Sequence, residues 1–174
     1  MRIPAVKSSP KGTPEPRTGR QGSAAQHDLT GAGVVHYYIH CEPLKLADSD
    51  FNTANVIKVL ERGLPVAELT DLQKNLAVPA ERLAPMLGIS KATFHRRKEA
   101  GEKLKPSVSD RVVRFAKLLG KAVKVLGDLD AAKQWLNSPQ FGLGGAVPLD
   151  YAKTELGARE VENLLGRIEF GVYS

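Results

Sequence analysis

From Asn52 onward, apolar positions recur every three or four residues and are interrupted by Gly and Pro, a pattern that predicts a succession of short helices. Asn55 to Arg62 places Val56, Ile57, Val59 and Leu60 in one helix, stopped by Gly63. Pro65 opens the next, with Val66, Leu69, Leu72, Gln73 and Leu76 in register. Val78-Pro79 ends it and begins Ala80 to Leu87, whose apolar side is Leu83, Met86 and Leu87. Gly88-Ile89-Ser90 reads as a left-handed turn, a core plug and an N-cap for a helix from Lys91 to Ala100, with Gly101 as its stop. A capping pattern at Ser107 and Asp110 starts a long helix to Leu126. Val112, Phe115, Ala116, Leu119, Val123 and Leu126 form its apolar face. Gly127 and Asp128 separate it from a helix over Leu129 to Leu136. Asn137-Ser138-Pro139 closes that helix, and Gly142, Gly144 and Gly145 form a tight connection. Pro148 opens a helix to Leu156, Gly157 stops it, and the last helix runs from Ala158 to Phe170.

The N-terminal part has a different pattern. Val34 to Cys41 (VVHYYIHC) is β-branched and aromatic, the most strand-like stretch of the chain. It has no partner strand, so a helix turn or an extended segment laid on the core remain alternatives. Residues 1 to about 28 are rich in Pro, Gly, Ser, Lys and Arg and bury too little apolar surface to offset ordering entropy, so a disordered basic arm is expected. The expectation is an all-α helical bundle. It divides into an N-terminal arm over 1–48, a helix-turn-helix domain over 49–106 and a helical C-terminal domain over 107–174.

Composition narrows the function. A net charge of +6 favours an anionic partner such as nucleic acid. Only 6% of residues are aromatic, which favours aliphatic helix packing over an aromatic sheet. Cys41 is the single cysteine, so neither an internal disulfide nor a cysteine-rich zinc site can form. The N-terminus lacks an apolar signal core, and no run approaches the roughly 20 apolar residues of a membrane span. A cytosolic protein without membrane contact is expected. His36 and His40 stand at i and i+4, beside Cys41 and Glu42, the spacing of two ligands on one helix face. No further ligand cluster follows, so no metal and no cofactor are expected, and a small metal-dependent enzyme built on His36, His40 and Glu42 is a rival reading. Ser/His/Asp and Cys/His sets are not recognisable, and no enzyme is expected. The Phe141–Gly145 turn is not followed by Gly-Lys-Ser/Thr and reads as a connection, not a phosphate loop.

Helix, tight glycine turn and Ser-capped basic helix is the sequence form of a helix-turn-helix. In that geometry the N-terminal part of the second helix meets base edges in the major groove, and flanking cations meet phosphates. Ser90, Lys91, Thr93 and His95 are the expected base readers. Arg96, Arg97 and Lys98 divide between bases and phosphates, since neighbouring side chains point about 100° apart. Lys103 and Lys105 extend the basic surface, and Phe94 anchors the helix in the core. Pro85 lies inside the supporting helix, where it removes an amide donor and crowds the Glu81 carbonyl, so that helix should be kinked or short.

The C-terminal stretch has no catalytic logic. Val161, Leu164, Leu165 and Ile168 form an i, i+3, i+4, i+7 stripe, and Val161 and Leu165 serve either the chain's own core or a partner. Gly166 costs on the order of 1 kcal/mol against Ala within a helix, which makes sense where another backbone packs close. Gly171-Val172-Tyr173-Ser174 is apolar for a chain end and finishes in a carboxylate.

Leu76-Ala77-Val78 through Leu87-Gly88-Ile89-Ser90, with Thr93, Arg96 and Arg97, resembles the Xre-type helix-turn-helix. The ordered set Trp135-Leu136, Leu143-Gly144-Gly145, Pro148-Leu149, Thr154-Glu155 with Gly157, and Ile168-Glu169 with Gly171 is similar to the C-terminal domain of Xre/ParS/MbcA-family antitoxins. The resemblance spans Leu64 to Ser174. It implies a type II antitoxin that binds an NAD-consuming RES-domain toxin through its C-terminal half and operator DNA through its helix-turn-helix. It also implies that the antitoxin's end lies at the mouth of the toxin's NAD pocket, with repression of the shared operon. The expected toxin-facing residues are Leu143, Gly144, Pro148, Val161, Leu165, Ile168, Glu169, Phe170, Gly171, Val172, Tyr173 and Ser174. Phe170 and Tyr173 would dock, and the terminal carboxylate would take the place of a nucleotide phosphate. A homodimer is expected, because helix-turn-helix proteins read paired half-sites. The alternative is a free-standing helix-turn-helix regulator whose C-terminal half only dimerises.

Overall fold

The computed structural model describes residues 33–40 and 53–172. Among them the chain forms nine α-helices and no strand. The order is α1 (Val34–His40), α2 (Thr53–Arg62), α3 (Val66–Leu76), α4 (Ala80–Met86), α5 (Lys91–Ala100), α6 (Pro106–Leu126), α7 (Leu129–Asn137), α8 (Pro148–Tyr151) and α9 (Glu155–Glu169). A 3₁₀ turn at Phe141–Leu143 lies between α7 and α8. The expected all-α bundle is what forms; the basic arm lies outside the described residues.

The long helix α6 is the centre. It packs against α1, α2, α3, α7 and α9, and it is buried on more than one face: Val112, Ala116, Leu118, Leu119 and Ala122 are all fully covered. One hydrophobic cluster runs from Val34 to Leu165 and takes in residues from both halves. α6 therefore belongs to both halves at once.

The strand-like segment is a helix. Val34, Val35 and Ile39 are buried against the core, and α1 lies so close to α6 that a Cβ at Gly120 would sit 1.8 Å from the Tyr38 carbonyl oxygen. Lys117 of α6 covers the Tyr38 ring at 5.0 Å. The first turn of α1 is capped from a distance. The Glu68 carboxylate of α3 accepts hydrogen bonds from the Gly33 and Val35 amides, the latter at 2.7 Å. Tertiary burial and this cap override the β propensity of VVHYYIH. His36 and His40 are both exposed, with ring centroids 4.3 Å apart. Cys41 and Glu42 lie outside the described residues.

Two helix starts and one helix end differ from the sequence pattern. α6 begins at Pro106 rather than at a Ser107 cap, because Pro106 has no amide to satisfy. Ser109 instead accepts from the Leu64 amide at 2.9 Å and donates to the Lys105 carbonyl. The helix expected from Pro148 to Leu156 ends at Tyr151. Thr154 then caps α9, accepting from the Gly157 amide at 3.1 Å, so Gly157 lies in the first turn of the last helix and not at a stop. The Asp128 cap of α7 forms as expected, accepting from the Ala131 amide at 2.7 Å.

Candidate functional sites

The first site is the α4–α5 pair. Pro85 leaves α4 short, seven residues long. Its end is closed by paired hydrogen bonds, Ile89 amide to Ala84 carbonyl and Gly88 amide to Pro85 carbonyl, both at 3.0 Å. Gly88 takes φ +68° between them, which completes a Schellman turn. From below, Arg111 of α6 donates to the Leu87 carbonyl at 2.7 Å, a cation on a helix C-terminus. Ser90 caps α5, accepting from the Thr93 amide at 3.1 Å. Phe94 is buried as the anchor.

On α5, Ser90, Lys91, His95, Arg96 and Lys98 are exposed and Thr93 is half-buried. Lys91 is engaged with Glu81 of α4 at 2.5 Å. That hydrogen bond holds the Glu81 carboxyl below its ordinary range. Arg97 departs from the expected basic face. It is 7% exposed and donates to the Lys103 carbonyl at 2.9 Å. Helical rotation points it inward beside Phe94, so Arg97 fastens α5 to the loop before α6.

A polar link joins this pair to the C-terminal half. Arg82 of α4 donates to Asn137 of α7 at 2.7 Å and to Asp150 of α8 at 3.1 Å. Asn137 donates in turn to the Leu76 carbonyl at the end of α3. A cation in the first turn of α4 opposes the helix dipole; the link to Asn137 and Asp150 explains its presence.

The second site is an apolar groove of about 360 Å³ between the 3₁₀ turn and the end of α9. Gln140, Phe141, Gly142, Leu164, Arg167, Ile168 and Val172 line it. The turn is held rigidly: Gly145 donates to the Gln140 carbonyl and Gly144 to the Phe141 carbonyl. Phe141 is thereby presented fully to solvent, 100% exposed. At the far end, Val172 donates to the Arg167 carbonyl and Gly171 to the Ile168 carbonyl, a second Schellman closure with Gly171 at φ +67°. The chain end is therefore folded back along α9 as far as Val172. Phe170 is 80% exposed beside it. A second hollow, about 340 Å³, lies across Gln140 and is lined by Leu126, Trp135 and Ser138 among others.

The expected toxin-facing residues separate into two groups. Val161, Leu165 and Pro148 are buried in the chain's own core. The stripe split because α9 packs its Val161–Leu165 side on α6 and leaves Leu164 and Ile168 at the groove. Leu143 is half-buried against the core, while Gly144, Phe170, Gly171 and Val172 are exposed. Glu169 pairs with Lys124 at 3.1 Å. Tyr173 and Ser174 lie outside the described residues. The close backbone expected at Gly166 is not supplied by the described part of the chain, as a Cβ there would meet nothing within 4 Å. Sequence reasoning missed Phe141, Gly142 and Arg167, and placed Leu164 only in the α9 stripe. The signal for the turn was a lone aromatic between glycines, with no partner visible in the pattern.

Among the described residues no helix is long and apolar enough to cross a membrane. Residues 56–117 match the Antitoxin Xre-like helix-turn-helix domain, and residues 121–171 match the Antitoxin Xre/MbcA/ParS C-terminal toxin-binding domain. The junction of the two matches falls inside α6. An Antitoxin Xre of Photorhabdus laumondii is 35% identical over 117 residues, 67% of this chain and 79% of that protein. An Antitoxin Xre of Yersinia enterocolitica is 30% identical over 120 residues, covering 68% and 81%. A Prs ADP-ribosylating antitoxin of a Sphingobium species is 28% identical over 127 residues, covering 68% and 80%. The chain belongs to the Xre antitoxin family, with an Xre-like helix-turn-helix followed by an Xre/MbcA/ParS toxin-binding domain.

Proposed function

We propose that this antitoxin neutralises an NAD-consuming RES-domain toxin in the bacterial cytoplasm by seating its C-terminal domain over the toxin's active-site mouth. The same chain, as a homodimer, represses its own operon by placing α5 in the major groove of operator DNA. In this reading 49–106 serves DNA and 107–174 serves the toxin. The observation that carries the toxin half is the apolar groove, open to solvent and lined by Phe141, Ile168 and Val172, with exposed Phe170 two residues before Val172 in the chain. Soluble chains seldom leave such large apolar side chains clustered without a partner. Exposed His95, Arg96 and Lys98 on a Ser-capped helix support the DNA half. The Sphingobium relative is named for ADP-ribosylation of Prs; ADP-ribosyl transfer draws on NAD, the substrate also expected of a RES toxin.

Removal of residues 170 to 174 is the test. The truncated antitoxin should lose protection of cells expressing the toxin and retain operator binding in a gel-shift assay. Full protection by the truncated chain would overturn active-site occlusion by the tail.

A further inference from the structure

Resting on the reading that the C-terminal domain takes a toxin, we infer that the α9 groove selects a toxin segment in which a carboxylate side chain flanks an apolar anchor, with Arg167 as the cation that receives it. The charged groups around the groove single out Arg167. Lys124 is engaged with Glu169, Lys121 donates to the Glu162 carbonyl at 2.8 Å, and Arg159 and Arg114 share Glu155 at 3.2 and 3.0 Å. Arg167 alone of these cations lines the groove, and among the described residues its side chain makes no hydrogen bond or ion pair. Glu169, two residues on, is held by Lys124 and does not compete for it.

Arg167 is half-buried and lines the groove together with Phe141, Leu164, Ile168 and Val172. Part of its hydration is lost without an acceptor gained among the described residues. A guanidinium in that setting accepts a planar carboxylate through two parallel hydrogen bonds, and the apolar wall strengthens the pair by excluding water. The groove holds about 360 Å³, room for one or two side chains. The pairing therefore specifies an anchor and its acidic neighbour. Gly166, one turn position away and open to solvent, lets a partner backbone approach α9.

The domain match favours the toxin over a second copy as occupant. All of the groove's lining residues except Val172 fall inside residues 121–171, which match a toxin-binding domain.

The experiment titrates the full-length antitoxin with the purified protein encoded beside it, by calorimetry at about 50 and about 300 mM salt. The variants are Arg167→Lys, Arg167→Gln and Arg167→Glu, with Phe141→Ser as an apolar control and circular dichroism as the check on folding. Arg167→Gln should weaken binding by about tenfold and flatten its salt dependence, Arg167→Glu should weaken it further, and Arg167→Lys should restore part of the affinity. Wild-type affinity in all three Arg167 variants, with Phe141→Ser impaired, would overturn the acidic-anchor inference and leave toxin docking intact. Failure of the wild-type chain to bind would overturn the docking reading itself. Changed sedimentation of the free chain with unchanged toxin affinity would assign the groove to self-association and overturn the inference.

Discussion

Arg96 and Arg97 are neighbours on α5 with opposite surroundings. Arg96 is exposed on the basic face, whereas Arg97 is buried with its guanidinium on the Lys103 carbonyl. Their alanine variants should fail differently. Arg96→Ala should weaken binding to every DNA sequence and lower the salt slope by about one unit, as loss of a single phosphate contact requires. Arg97→Ala should lower unfolding free energy by roughly 1 to 2 kcal/mol, because it removes a charge-assisted hydrogen bond in a covered site. Urea denaturation and gel-shift titration of both variants check this; equal stability of Arg97→Ala and wild type would contradict it. The residue types on α5 were legible in the sequence, as was the Ser90 cap. The inward turn of Arg97 was not, because a basic run of four carries no apolar phase from which to read the buried side. The same limit applied to α9. The stripe Val161, Leu164, Leu165, Ile168 identified a helix face correctly, but only packing on α6 decides which two positions are core.

At the scale of elements, α1 shows how much a distant residue governs local structure. Its sequence favours a strand, and its helix depends on apolar contact with α6 and on Glu68 from α3. Burial pushes the Glu68 carboxyl above its ordinary value of 4.5, outweighing the hydrogen bonds from Val35 and Gly33 that lower it. A carboxyl with a raised native pKa binds its proton more tightly folded than unfolded. Its contribution to stability is therefore largest at low pH and declines as pH climbs from the unfolded value through the native one. Glu68→Gln retains one acceptor and removes the titration. Between about pH 4 and about pH 7, the urea midpoint of the variant should gain relative to wild type; a difference constant across that window would contradict the assignment. Glu68 itself was unreadable as a cap, since it lies more than thirty residues from the amides it receives. The neighbouring caps Ser90, Asp128 and Thr154 each act within three residues. Local caps of that kind are what sequence spacing can disclose.

At the scale of the molecule, α6 is the shared spine and Arg82 and Arg111 fasten the α4–α5 pair to it and to α7–α8. The helical class followed from periodicity and glycine stops, and the order of the two halves from the helix-turn-helix pattern and the family resemblance of the C-terminal motifs. The groove did not. It needs the 3₁₀ turn folded against α9, a contact between segments more than twenty residues apart that no periodicity encodes. Phe141 of its lining and the exposed Phe170 at the end of α9 offer the cleanest perturbation. Phe141 and Phe170 are 100% and 80% exposed, so shortening them should change stability by only about 0.5 kcal/mol or less. Calorimetric titration of the Phe141→Ser, Phe170→Ser double variant with the protein encoded beside the antitoxin tests the central claim directly. Affinity should fall at least roughly tenfold, with thermal stability and operator binding unchanged. Wild-type toxin affinity in the double variant would contradict it.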